Sequence, residues 1–316
     1  MKNPYLNAVI LAVLMCVAHS AQAASPPFIP KQGKILIIGQ QRDSIDSYID
    51  AIGIVPGGFM YYTSIQNLDG LTKPANHGAG IMHAQHYIKR YPNTVIQLAL
   101  YMVGALDKVL SGQYDHNLAR LADWMKSVGR PIYFRIGYEF DLPDNRYDPQ
   151  EYQQAYRYIV NYLRVQGVDN VAYVWHSACA IEPNGNFMDW YPGDDYVDWF
   201  GVSIFNPMQI ATAKKFFKLA REHQKQVMIA ESSPAGEYST QAKTEWFRHY
   251  FDFIKQEDVK VVCYINSNWN SYPLFQDMDW GDAQLQDDPD IEARWIKQIT
   301  NGEFLQSSPD LFDKLN

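Results

Sequence analysis

Cysteine is scarce in this chain of 316 residues, with three in all. One of them, Cys16, lies in an apolar N-terminal run. That leaves Cys179 and Cys263, which are too few for a disulfide framework and are expected to stay unpaired. Positive charge is also short. Lys and Arg number 27 against 35 Asp and Glu, for a formal charge of -8 at pH 7. Such a balance argues against binding nucleic acid or anionic lipid. Beyond the N-terminus no stretch is long and apolar enough to span a membrane. Several chemical signatures are missing too. "IIGQQRDS" follows the first strand but lacks the further glycines of a dinucleotide fingerprint. There is no P-loop, no G-x-S-x-G elbow and no C-x-x-C. His83 and His86 are three apart, with His77 nearby, but no His-Glu-x-x-His pattern follows, so all three read as ordinary surface or core histidines. The acidic run "DMDWGDAQLQDDPD" lacks EF-hand spacing and reads as a solvated loop. No metal and no cofactor are expected.

The N-terminus is the exception to the missing apolar runs. In "MKNPYLNAVILAVLMCVAHSAQA", Lys2 precedes an apolar stretch from Ala8 to Ala18, and Ala21-Gln22-Ala23 is a small-residue cleavage site. Residues 1–23 therefore read as a cleaved signal peptide. The mature chain, 24–316, is expected to be exported to the periplasm or the extracellular space, free of the membrane and monomeric.

Within 24–316 one unit recurs: a short apolar strand, a polar or glycine-bearing loop, then a helical pattern. The strands are "KILIIG", "GFMYYT", "TVIQLALYM", "RPIYFRIGYEF", "VAYVWHSA", "VDWFGVSIF", "QVMIAESS" and "KVVCYINSNW". Most lead into amphipathic runs such as "PQEYQQAYRYIVNYLRVQG" and "TQAKTEWFRHYFDFIKQ", and "GAGIMHAQHYIKRY" reads as helix-like. Strands alternating with helices imply a parallel sheet, because parallel strands need crossover connections. Eight such units, apolar on both faces, predict an α/β fold: a single (β/α)8 TIM barrel. No linker rich in Pro, Ser or Gly marks a second domain.

Chemistry in such barrels sits at the C-terminal strand ends. Glu139 closes the fourth strand and Glu231 the seventh. Two carboxylates facing each other across a barrel mouth are the equipment for glycoside hydrolysis: one protonated to donate, one ionised to attack or to activate water. Arg135 lies four residues before Glu139 and, by strand alternation, on the same face, where its charge can help hold a carboxylate ionised. The competing reading makes Arg135 and Glu139 a structural ion pair and Glu231 a surface residue. Trp175 and His176 end the fifth strand and are candidates to line the cleft, and a core role is as open for the Trp. The aromatic fraction of 14% suits sugar stacking, although most of those rings must be core.

Four segments carry a family resemblance. "SGQYDHNLARLADWMKSVGRPIYFRIGYEF", "DWYPGDDYVDWFGVSIF", "IAESS" and "NSNW" together resemble glycoside hydrolase family 26, within the wider clan A of retaining barrel hydrolases. The resemblance implies that Glu139 is the acid/base, that Glu231 is the nucleophile and that Trp269 floors the sugar site. It also implies a carbohydrate substrate that is a β-linked polysaccharide or oligosaccharide. Three positions depart from the family pattern. Tyr138 stands where the family has His, next to the substrate 2-hydroxyl. Phe205 ends the sixth strand where a tyrosine hydroxyl is expected near the nucleophile. "FDLPDNRYDP" replaces an aromatic subsite motif. Arg135, Tyr138, Trp175, His176 and Trp269 form the expected substrate-binding set. The alternatives from other classes are a non-catalytic carbohydrate-binding protein on the same barrel and a metal-dependent barrel hydrolase.

Overall fold

The computed structural model describes residues 26–181 and 185–316. The expected signal peptide lies outside the described residues. Eight parallel strands form the centre: β1 (Lys34–Gly39), β2 (Gly58–Ser64), β3 (Val95–Tyr101), β4 (Ile132–Ile136), β5 (Val171–Ser177), β6 (Trp199–Ile204), β7 (Gln226–Ser232) and β8 (Val261–Ile265). Each pairs with the next, and β8 pairs back onto β1 over Ile35↔Val261 to Gly39↔Ile265, so the sheet closes into a barrel. A short β9 (Phe304–Leu305) adds to β1 at Lys34↔Phe304.

Eight α-helices stand among the described residues: α1 (Arg42–Ile52), α2 (Ala84–Arg90), α3 (Leu106–Leu110), α4 (Asp115–Val128), α5 (Pro149–Val165), α6 (Gln209–Glu222), α7 (Thr240–Gln256) and α8 (Pro289–Ile299). The helix start at α5 is written in the sequence. Asp148 caps the backbone amides of Gln150 and Glu151 at 2.9 and 3.0 Å, and Pro149 takes the first position. One expectation is met only in part. The segment from Gly78 to Tyr91 is helical only from Ala84, and Ala75–Asn76 instead pairs antiparallel with Ile81–Met82. Gly78 and Gly80 have φ of +91° and +90°, which no helix continues through.

Alternation along each strand sorts the core into two layers. Outward residues such as Phe134, Trp175 and Phe200 join the packing against the helices. Inward residues such as Met60, Tyr133, Val174 and Cys263 fill the barrel. Cys179 and Cys263 are both free and buried.

One break in the alternation decides where a functional side chain points. On β7, Val227 and Ile229 pack outward and Met228 and Ala230 inward, so strict alternation would send Glu231 outward. The register with β6 runs Val202↔Ile229 and then Ser203↔Glu231, leaving Ala230 as an extra residue. This bulge resets the count. Ser232 now faces outward to bond Tyr250 of α7, and Glu231 turns into the barrel mouth. The Ala230 carbonyl is taken by the side-chain amide of the wholly buried Gln97, reaching from β3 at 2.7 Å.

Candidate active site

The strand of β4 stops at Ile136. Gly137 turns the chain at φ +54°, where an added Cβ would come within 2.7 Å of Met102 and 2.8 Å of Tyr152. Glu139 itself sits at φ +53°, a left-handed value uncommon outside glycine, and such values cluster at functional sites. The turn is pinned from several sides. The side-chain amide of Asn145 donates to the Glu139 carbonyl at 2.8 Å, and the Phe140 amide donates to the His176 carbonyl at 3.1 Å. Asp141 accepts from the Ser177 hydroxyl and the Ala178 amide, both at 2.7 Å, and so fastens this turn to the end of β5.

Glu139 is thereby delivered half-buried at the mouth, opposite the buried Glu231. Their nearest carboxylate oxygens lie within 4.8 Å of each other. Burial, and then the charge of Glu231, push the Glu139 pKa from 4.5 to about 8. A carboxyl so placed is protonated at neutral pH and able to donate.

Arg135 is fully buried inside the barrel, below the mouth. It forms an ion pair with Glu231, a second contact to His176 Nδ1 at 3.2 Å and a third to Met60 Sδ at 2.9 Å. Burial opposes its charge, but Glu231 and Tyr62 outweigh burial and leave its pKa above the ordinary value. Tyr62, at the end of β2, lies with its ring 5.1 Å from the guanidinium carbon, and its phenol faces Glu231. Burial and then the Glu231 charge hold that phenol protonated, well above its usual pKa. A tyrosine hydroxyl near Glu231 is thus present, but it comes from β2 and not from the end of β6. There Phe205 packs on Trp280 at 4.7 Å.

The structure redistributes the expected sugar-binding set. Tyr138 is half-buried at the mouth, edge-on to Tyr62 at 5.1 Å, and remains placed to meet a substrate. Arg135 is too deep to touch sugar and serves Glu231. Trp175 does not line the cleft. It and His176 are adjacent on one strand and so face opposite ways. Trp175 points outward, stacked on Phe140 at 4.5 Å and packed against Phe200 and Phe216. His176 points inward but is wholly buried, with Arg135 on Nδ1 and Ser203 Oγ on Nε2 at 3.0 Å, so neither nitrogen is free for a sugar. Trp269 lies over the barrel but is only 1% exposed. Its indole donates to Ser233 Oγ at 3.1 Å, and Phe275 and Trp280 cover its ring. Tyr62, Ser203 and Gln97 were not singled out from the sequence, and Asp141 was given no role. Strand alternation would have put Tyr62 inside beside Met60, while Gln97 and Asp141 acquire meaning only through partners distant in the chain.

Glu139, His176 and Glu231 also fall within the spacing of a metal triad. One oxygen of each carboxylate and both imidazole nitrogens are already committed. Arg135 holds Glu231 and one His176 nitrogen, Ser203 holds the other nitrogen and Glu139, and a fixed cation at the centre opposes a second one. The arrangement is suited to proton transfer and nucleophilic attack on one substrate.

Comparison with known proteins bears on the family and the fold. The family model for glycosyl hydrolase family 26 matches residues 99–277. A β-1,3-xylanase of a Vibrio species is 33% identical over 96% of this chain and 73% of that protein. A β-1,3-xylanase of an Alcaligenes species is 32% identical over 96% of this chain and 71% of its own length. Among solved structures, a family 26 protein (GH26C) of Muricauda sp. MAR_2010_75 superposes with a TM-score of 0.66 at 18% identity, covering 90% of each chain. A family 26 β-mannanase of Bacteroides ovatus gives 0.63 at 15% identity, over 89% of this chain and 93% of that one. At such identities the two structures establish the shared barrel alone.

Proposed function

The chain belongs to glycosyl hydrolase family 26, and from that membership we propose that it is an exported retaining enzyme that cleaves β-1,3-xylan with Glu139 and Glu231. That it is a glycoside hydrolase acting on β-linked polysaccharide follows from the family. The finer assignment to β-1,3-xylan rests on the two relatives that match nearly the whole chain, both named for that activity. Export rests on the N-terminal signal pattern.

The observation that carries the mechanism is the pair of carboxyls within 4.8 Å, one of them held protonated. So close an approach of the nearest oxygens fits the carboxyl separation of about 5–5.5 Å found in retaining enzymes better than the roughly 6.5 Å or more of inverting ones. Glu231, with Arg135 as its counter-charge, attacks the anomeric carbon as the glycosidic bond breaks. Glu139 gives its proton to the departing oxygen. A covalent glycosyl–Glu231 intermediate results. Glu139, now a carboxylate, takes a proton from water, the resulting hydroxide equivalent attacks the anomeric carbon, and Glu231 leaves. Tyr62 directs its phenol at Glu231, and Tyr138 occupies the side of the cleft beside the expected 2-hydroxyl.

The test is reducing-end release by purified protein from β-1,3-xylan, β-1,4-xylan and β-1,4-mannan in parallel. Release from β-1,3-xylan well above the other two supports the assignment. Preference for mannan would overturn the xylan reading and leave the two-glutamate reading standing. Sugar binding with no release from any substrate would point to a binding protein.

A further inference from the structure

Glu231, Arg135, His176, Ser203 and Glu139 form one unbroken line of hydrogen bonds beneath the cleft. Each hydrogen in the part from Arg135 to Ser203 Oγ has one possible place. A guanidinium has five donors and no acceptor. Arg135 must therefore donate to His176 Nδ1, which must carry a lone pair. Burial first, and the Arg135 charge second, keep the His176 ring neutral, far below its usual pKa. A neutral imidazole with a bare Nδ1 bears its hydrogen on Nε2, and that hydrogen points at Ser203 Oγ, 3.0 Å away. The serine hydrogen then goes to Glu139 Oε1 at 2.7 Å. The line has a single sense, set by a cation that never titrates.

We propose that Ser203, oriented by His176, is a positioning residue that fixes which oxygen of Glu139 carries the catalytic proton. The proposal rests on the reading of Glu139 as acid/base. In a carboxylic acid the carbonyl oxygen accepts hydrogen bonds better than the hydroxyl oxygen. Oε1, held by Ser203, is thus the carbonyl oxygen, and Oε2 bears the proton for the leaving group. After that proton is given up, Ser203 steadies the carboxylate while Oε2 takes a proton from water. The bulge in β7 contributes, since it sets Ser203 beside Glu231 in the register.

Every element around Glu139 bears on its charge. Burial and Glu231 from β7 favour the neutral form. Ser203 from β6 and Arg135 from β4 favour the ionised form, and Asp141 in its own turn opposes it. Tyr138 and Tyr147 face it as neutral phenols and Cys179 as a neutral thiol. Loss of the serine hydrogen bond removes one of the two groups that favour ionisation.

The experiment compares wild type, Ser203→Ala and Ser203→Thr. In Ser203→Ala the alkaline limb of kcat/KM should move up by roughly one pH unit. Turnover of unactivated xylo-oligosaccharides should fall more than that of aryl glycosides, which need little protonation. Ser203→Thr keeps the hydroxyl and should keep the wild-type limb. A purely structural serine would change neither limb nor leaving-group dependence. Nitrogen NMR of histidine-labelled protein should show His176 with hydrogen on Nε2 and no titration through neutral pH. An unmoved limb in Ser203→Ala, or hydrogen on Nδ1, overturns the proposal while leaving the acid/base reading intact. Full polysaccharide turnover by Glu139→Ala would instead remove the acid/base reading, whatever the His176 tautomer.

Discussion

Arg135 of β4 and Glu231 of β7 form an ion pair inside the barrel, with Arg135 wholly buried and Glu231 nearly so. Breaking such a pair from one side leaves an uncompensated buried charge, which costs about 3–5 kcal/mol. Arg135→Met should therefore lower unfolding free energy by about that amount in urea titration and lower turnover with it. Adding Glu231→Gln should restore much of the stability and none of the turnover. Stability unchanged by Arg135→Met would mean that the pair contributes little.

Gln97 closes the gap that the bulge opens at the Ala230 carbonyl. Gln97→Leu leaves that buried oxygen unpaired, at a cost of about 1–3 kcal/mol. If the bulge aims Glu231, kcat should fall with KM little changed, because the nucleophile is displaced and the sugar contacts are not. Loss of stability with normal kcat would confine Gln97 to packing.

The pH profile has a definite sign. Glu139 must be protonated to donate, and its pKa is raised to about 8 by burial and by Glu231. As pH rises through that value the donor is lost, so kcat/KM should decline there. Carboxyl-carbon NMR on Glu231→Gln, which removes the neighbouring charge, should show Glu139 titrating at lower pH than in wild type. No downward shift would show that Glu231 does not act on Glu139.

Trp175 and Trp269 are tests of core against cleft. Both are buried, and truncation of such a ring costs about 3–5 kcal/mol. Trp175→Ala should lower stability by that order while any folded fraction keeps its KM. Trp269→Ala should also lower stability, since its ring holds Phe275 and Trp280 in place. A raised KM in Trp175→Ala with stability unchanged would return Trp175 to the cleft.

The barrel was legible because double burial and strand–helix alternation are local patterns, and all eight strands fall where the apolar runs lie. The place of the two glutamates at the barrel mouth was legible because each closes an apolar run. Which carboxylate Arg135 serves was not. Four-residue spacing joined it to Glu139, but β4 ends at Ile136 and a left-handed turn carries Glu139 off the strand's period. Glu231 faces inward only because one extra residue sits in β7, and a bulge leaves no mark in "VMIAESS". The pairing of Trp175 with His176 as cleft residues ignored a constraint that was available, since neighbours on a strand face opposite sides. Ser203 sits in an apolar strand with no signal of its own, and its role comes from partners on β5 and in the turn after β4.

The central claim, a covalent intermediate on Glu231 with Glu139 opposite, is tested most directly by trapping. A 2-fluoro xyloside or xylobioside with a good leaving group should inactivate the enzyme, and mass spectrometry of its peptides should place one glycosyl adduct on Glu231. Glu231→Ala should take no label. Glu139→Ala should still be labelled, and azide should partly restore its turnover of aryl glycosides. An adduct on Glu139, or continued polysaccharide turnover by Glu231→Ala, would contradict the account.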